Sequence, residues 1–274
     1  MLYSDIDKLY KFKSINENLL ISLRTRRIYV PSIAELNDPF ESNIYIKKID
    51  GRKINKKYFK DLYISNIFNY VDSKSLSKQD VLYSNSKLKD FAKTYYFNEI
   101  NHKYLSYDFN DESMIEFYQK IVSYMGVISF TTDNKSLLLW SHYGNSHTGV
   151  CLEFKRSEGS KLDDDNYSFP IRYSSFVEDI KVRSDSKEMI ADFYKYKADV
   201  WSYEKEWRLI TPNPKSMIDF PGELTSIYFG LNTSKENLKK IHEILGDSVE
   251  YFKAIKKTNM YDVEYMKMKL KDFI

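Results

Sequence analysis

Glu204 and Glu206 stand two residues apart in the stretch Y-E-K-E-W-R-L-I-T-P, with Arg208 two further on. On an extended segment alternate residues project to one side, so the spacing predicts three charged groups on one face. Neighbouring carboxylates repel, and one of them then needs a raised pKa or a cationic partner. Arg208 is the nearest candidate. Such a pair suits acid–base work, or stabilisation of positive charge that develops in a transition state. It equally suits an ordinary Glu–Arg ladder on a surface strand. A second concentration of functional groups lies in V-I-S-F-T-T-D-N-K-S-L-L-L-W-S-H-Y-G-N-S-H-T-G-V-C-L-E-F, residues 127–154. It contains Ser129, Thr131, Trp140, His142, Tyr143, His147 and Cys151. Cys151 sits among apolar neighbours and reads as a small buried hydrophobe, not as a nucleophile. His142 and His147 are five apart, which is not the one-face pair of a zinc protease helix. His142 is therefore expected to be structural or substrate-orienting, and no metal is expected. Asp163, Asp164 and Asp165 lack the ligand spacing of a calcium loop and read as a solvated turn. Asp38, in Asn37-Asp38-Pro39, is expected to hold its own backbone.

These groups need elements to position them. Leu9 to Lys13 alternates as a short strand carrying Lys11 and Lys13. Ser14-Ile15-Asn16-Glu17 fits a capping box, followed by a helix that buries Leu19, Leu20 and Leu23 and ends among Arg24, Arg26 and Arg27. Ile28 to Val30 is a strand. Residues 52–125 read as a helical insertion, with apolar residues at helical spacing in several segments and a polar loop over 72–86. Its last helix, from Asp111, buries Met114, Ile115, Tyr118, Ile121, Val122 and Met125. Val127 to Thr131 is a buried strand, Asp133, Asn134 and Ser136 make a turn that can cap a short helix over Leu137–Tyr143, and Gly149 to Phe154 is a strand. Ile171 to Tyr173 is another. A helix is expected from about Ser186 to Val200, and Glu206 to Ile210 is a strand closed by Thr211-Pro212. Ser226 to Phe229 is a strand, and Thr233 to Glu236 a second capping box, before a helix burying Leu238, Ile241, Ile244 and Leu245. Tyr251–Ile255 and Val263–Met266 complete the strands. The pattern is α+β in a single domain, without internal repeats or a glycine-rich phosphate loop.

Composition narrows the function classes. The chain has 274 residues, and its 42 basic and 39 acidic side chains leave a net charge of only +3, which gives no electrostatic signature of nucleic-acid binding. One Cys excludes an internal disulfide and points to a reducing, cytoplasmic setting. No secretory pattern opens the sequence, and no run approaches the roughly 20 apolar residues of a membrane span.

Four segments together resemble the bacterial family catalogued as domain of unknown function 2971: L-Y-K-F-K-S-I-N-E-N, L-N-D-P-F-E, L-W-S-H-Y-G-N-S-H-T-G-V-C-L-E-F and Y-E-K-E-W-R. I-Y-F-G-L-N-T-S-K-E-N also fits. That resemblance implies no activity, though the family has a flavour of mobile, defence-associated genes. A remoter resemblance is to ADP-ribosyltransferases, which bind NAD in a split β-sheet and carry three signatures in chain order. Ser129-Phe130-Thr131-Thr132 is similar to the second. Glu204-Lys205-Glu206, followed by Trp207-Arg208-Leu209-Ile210, is similar to the third. In the first, Lys11 and Lys13 stand where an Arg or His is usual.

The resemblance implies NAD as substrate, with ADP-ribosyl transfer or NAD hydrolysis as the reaction, in a toxin or anti-phage effector. Glu206 would meet the charge developing on the ribose, and Glu204 would activate the acceptor. Ser129, Thr131, Tyr143 and His142 would orient ribose and nicotinamide, Trp140 or Tyr143 would stack on a ring, and Lys11 would meet the pyrophosphate. The acceptor, whether protein or nucleic acid, stays open. The alternative is a non-catalytic ligand- or protein-binding module in which Trp140, His142 and Trp207 form a satisfied polar core. A metal-dependent nuclease using His142, Asp38 and Glu206 ranks below both.

Overall fold

The first helix, α1 (Glu17–Thr25), begins where the Asn16 side chain accepts the Leu19 N–H at 3.0 Å. The cap is thus Asn16, not Ser14, because Asn16 is the last extended residue before the first turn. At the other end Arg26 takes a left-handed conformation, φ 54°, and the chain turns directly into β2 (Arg27–Val30). The computed structural model of the chain describes residues 3–38, 40, 45–46, 125–176, 179–180, 191–212 and 214–269. The expected insertion over residues 52–125 lies outside these, except that Met125 opens a strand in place of closing a helix.

An eight-stranded sheet dominates. Its strands are β1 (Lys8–Lys13), β4 (Met125–Thr131), β5 (Val150–Lys155), β6 (Ser168–Pro170), β10 (Glu206–Pro212), β12 (Glu223–Phe229), β13 (Glu250–Lys256) and β14 (Val263–Lys267). The order across the sheet is β14-β13-β12-β5-β1-β4-β10-β6. All neighbours are antiparallel except β12 and β13, which are parallel and joined through α3 (Lys235–Leu245). The sheet is mixed and the class is α+β. Short two-stranded pairs complete it: β3 (Tyr45–Ile46) with β8 (Asp179–Ile180), β7 (Arg172–Ser174) with β9 (Tyr196–Ala198), and β11 (Ser216–Asp219) with β2.

Helices α1 and α3 pack side by side on one face. There Leu19, Leu20, Leu23, Leu238, Ile241 and Leu245 bury against Leu9, Leu152, Phe154, Ile227 and Phe229. Helix α3 is capped by Ser234, one residue later than the Thr233 box predicts. On the opposite face Phe12, Cys151 and Tyr228 pack with Leu139 and Trp140 of the short helix α2 (Leu137–His142), whose N-cap is Ser136, the last of the three turn residues that could cap it.

The sheet is not continuous at its centre. Strand β1 pairs with β5 along its whole length, Lys8 to Lys13. With β4 it pairs only at Tyr10–Thr131. Beyond that point the strands part, and the Pro31–Ser32 segment takes up the far edge of β4: the Val127 N–H donates to Pro31 O at 3.0 Å, and Ser32 bridges Gly126. Gly126 permits the approach, since a Cβ there would lie 2.2 Å from Val30 Cγ1.

The expected helix from Ser186 to Val200 fails in its second half. Residues 191–194 are helical, but Tyr196–Ala198 is a strand parallel to β7, and Val200 is exposed. The Asp163–Asp165 turn is not simply solvated either. Arg156, fully buried, reaches Asp165 at 2.8 Å and Asp163 at 3.8 Å and lies over the Trp207 ring. Among the described residues no helix is long and apolar enough to cross a membrane.

Candidate functional site

The gap between β1 and β4 holds a cavity of about 290 Å³. Lys11 and Lys13 of β1, Ser129 and Thr131 of β4, Tyr143, Lys197, Glu204 and Glu206 line it, together with Glu35, Leu36 and Asn37 from the segment after β2. Lys11 reaches across the gap, where its amine donates to the Ser129 carbonyl at 2.6 Å. Its side chain thereby satisfies a carbonyl on the β4 edge at which the two strands have separated.

Glu204 and Glu206 do not lie on one extended segment. Glu204 closes a 3₁₀ turn, Asp199–Glu204, and Lys205 at φ 43° swings the chain into β10. The carboxylates still converge, because both bind one ammonium group: Lys197 Nζ is 2.7 Å from Glu204 and 3.1 Å from Glu206. Arg208 completes the cluster as the i, i+2 spacing predicts, donating to the two oxygens of Glu206 at 2.7 and 3.0 Å. Burial opposes the charge on Glu206, but the Arg208 guanidinium, Lys197 and the Ser129 hydroxyl outweigh it and hold its pKa down at about 2. Glu206 is therefore an ionised, buried carboxylate.

The remaining groups fix these two. Tyr143 donates to Glu204 at 2.7 Å and accepts from Asn37 at 2.9 Å. The Thr131 hydroxyl donates to the Glu204 carbonyl at 2.7 Å, so Thr131 sets the turn more than it presents a group to a ligand. The Tyr173 hydroxyl accepts the Glu206 N–H at 2.7 Å. Burial and Lys13 push the pKa of Lys11 well below the usual amine value, with Glu206 acting the other way.

Two expected site residues lie elsewhere. Trp140 is fully buried, edge-on to Phe12, stacked on His147 and donating to the Tyr265 hydroxyl at 3.1 Å. It cannot stack on a ligand, because its faces are already covered by protein. His142 is exposed, near the Tyr143 and Tyr203 rings, and does not line the cavity. A nuclease site of His142, Asp38 and Glu206 gains no support. Asp38 accepts the Phe40 N–H at 2.9 Å, holding its own turn, and among the described residues no group of three metal-ligating side chains converges. Cys151 is buried in the strand, and burial raises its thiol pKa.

Residues 139–209 match a family described as a protein of unknown function, DUF2971. The match runs from the Trp140-to-Gly149 motif through the Tyr203-to-Arg208 motif, and it supports that family resemblance. No curated protein and no solved structure matches the chain.

Sequence reasoning missed Lys197 because it placed that residue inside a helix. One signal was available: on an extended segment Glu204 and Glu206 share a side with Arg208 while Lys205 points to the other, which leaves one carboxylate to be compensated from outside the segment.

Proposed function

We propose that this cavity binds NAD and cleaves its nicotinamide–ribose bond, passing ADP-ribose to an acceptor or to water. The observation that carries the reading is the opening between β1 and β4. It gathers Lys11, Ser129, Tyr143 and Glu206, which are remote in sequence, around one pocket beside an ionised carboxylate. The order Lys on β1, hydroxyls on β4, Glu at the start of β10, on three adjacent strands, fits the remote resemblance to ADP-ribosyltransferases. At about 290 Å³ the cavity is at the small end of ligand pockets. It suits the nicotinamide riboside end, with the pyrophosphate leaving past Lys11.

In this reading the bond from ribose C1′ to the nicotinamide nitrogen breaks and its electron pair leaves with nicotinamide. Positive charge grows on the ribose, and Glu206, fixed by Arg208 and Ser129, meets it without reorganising. Glu204, oriented by Tyr143, takes the proton of the incoming nucleophile as the new bond to C1′ forms. One observation favours a second reading, binding without turnover: the Glu206 oxygens are already occupied by Arg208 and Lys197, as in a satisfied structural cluster.

The test is a calorimetric NAD titration with an assay of nicotinamide release. Turnover should fall about 10²–10³-fold in Glu206→Gln, read on protein verified as folded, while NAD affinity changes far less. NAD binding with no release, across candidate acceptors, selects the second reading. A protein that neither binds NAD nor releases nicotinamide ends the proposal.

A further inference from the structure

Lys11 and Lys13 are alternate residues of β1, on one side of the strand, and both line the cavity. The carboxylates nearby are engaged elsewhere. Glu204 is held by Lys197, Glu206 by Lys197 and Arg208, and Glu35 by Ser32 and Tyr29. The partly buried Lys11 amine has a neutral acceptor, the Ser129 carbonyl, and lies 5.4 Å from the centre of the Phe130 ring. A lysine desolvated beside a second cation keeps its lone pair available and becomes a nucleophile.

We propose that Lys11 is a reactive amine that forms an imine with a phosphorylated aldehyde whose phosphate is held by Lys13. Burial and the Lys13 charge lower the Lys11 pKa, which places more of the amine in its neutral form near pH 7. The Lys11 nitrogen attacks the carbonyl carbon, and the carbonyl π pair moves to oxygen. The nitrogen gives up two protons to that oxygen through solvent, and water leaves as the C=N bond forms. No oxidant or reductant is needed. The cavity, at about 290 Å³, accommodates a ligand of sugar-phosphate size. Its phosphate would point toward the exposed Lys13 end.

The inference does not depend on the NAD reading, and in place of that reading's cation beside the pyrophosphate it makes Lys11 a neutral amine. The full chain is treated with pyridoxal 5′-phosphate near pH 7, the imine is reduced with borohydride, and the modified lysine is located by peptide mapping. The expected result is preferential labelling of Lys11 over the surface lysines, since a depressed amine pKa enlarges the neutral fraction. Lys13→Ala should slow labelling by the phosphate ester more than labelling by unphosphorylated pyridoxal, which loses only the effect of the Lys13 charge on the Lys11 amine, and Lys11→Arg should remove that adduct. Labelling spread over surface lysines without preference for Lys11, or equal rates for pyridoxal and its phosphate, overturns the proposal. Mapping of the unmodified sequence needs no variant to fold, and neither NAD nor nicotinamide enters the assay. A negative result here therefore leaves the NAD reading standing.

Discussion

Glu153 and Glu206 are both buried glutamates on strands of one sheet, and their surroundings differ in kind. Glu153 lies in β5, which is paired on both sides, with a register shift at Thr225 of β12 beside it. Its register partners are Tyr10 and Ser226. It accepts from hydroxyls of β12, Thr225 at 2.7 Å, Ser226 at 3.1 Å and Tyr228 at 2.7 Å, with Lys8 at 3.1 Å on its exposed side. Those bonds outweigh burial and lower its pKa. Glu206 lies where β1 has left β4. Ser129 of β4 supplies one hydroxyl, and the larger compensation comes from full charges, Arg208 on its own strand and Lys197 from β9. Where the sheet is paired on both sides, neutral hydroxyls supply most of the partners of a buried carboxylate, with one half-exposed lysine beside them. An opened sheet needs cations and leaves a cavity.

The largest effect should come from removing the Glu206 charge. Glu206→Gln removes the carboxylate that binds both Arg208 and Lys197 and should cost about 3–5 kcal/mol in chemical denaturation. Combining it with Arg208→Met should restore part of that loss. A double variant less stable than Glu206→Gln alone would break the account of the pair.

Acid should act on the same group. A carboxylate with a depressed folded pKa contributes stability above its unfolded pKa and loses it as pH falls through the folded one. For Glu206 that window runs from the ordinary 4.5 down to about 2. Denaturation midpoints measured across it should fall steadily in the native protein and more shallowly in the double variant.

Glu153→Gln should cost less, about 1–3 kcal/mol, because its donors are mainly neutral hydroxyls. Equal losses for Glu153→Gln and Glu206→Gln would erase the contrast between the two clusters. The smallest effect is expected for Tyr143→Phe, about 0.5–1.5 kcal/mol, since Glu204 keeps Lys197. Calorimetric unfolding measures it. In the NAD reading this variant lowers nicotinamide release by more than its stability loss explains, and unchanged release would remove Tyr143 from the site.

Local physics was legible in the sequence. The strands of Lys11, Ser129 and Glu206, the Ser136 cap, the buried leucines of α1 and α3, the Asp38 turn and the Glu206–Arg208 pairing all depend on neighbours within a few residues. Period-2 and period-3.6 spacing encode such relations directly. Cap positions slipped by one or two residues, from Ser14 to Asn16 and from Thr233 to Ser234, because several adjacent polar residues could each end the helix. Tertiary structure decided the rest. Trp140 became core because Phe12 of β1, His147 and Tyr265 of β14 close over it, and His142 turned outward on the exposed side of α2. Lys197 entered the site because pairing with β7 draws its segment into a strand against the local helical pattern. The gap itself has no sequence signature. It arises from the departure of β1 from β4 after a single paired position and from Pro31–Ser32 taking the vacated edge, contacts between segments about a hundred residues apart.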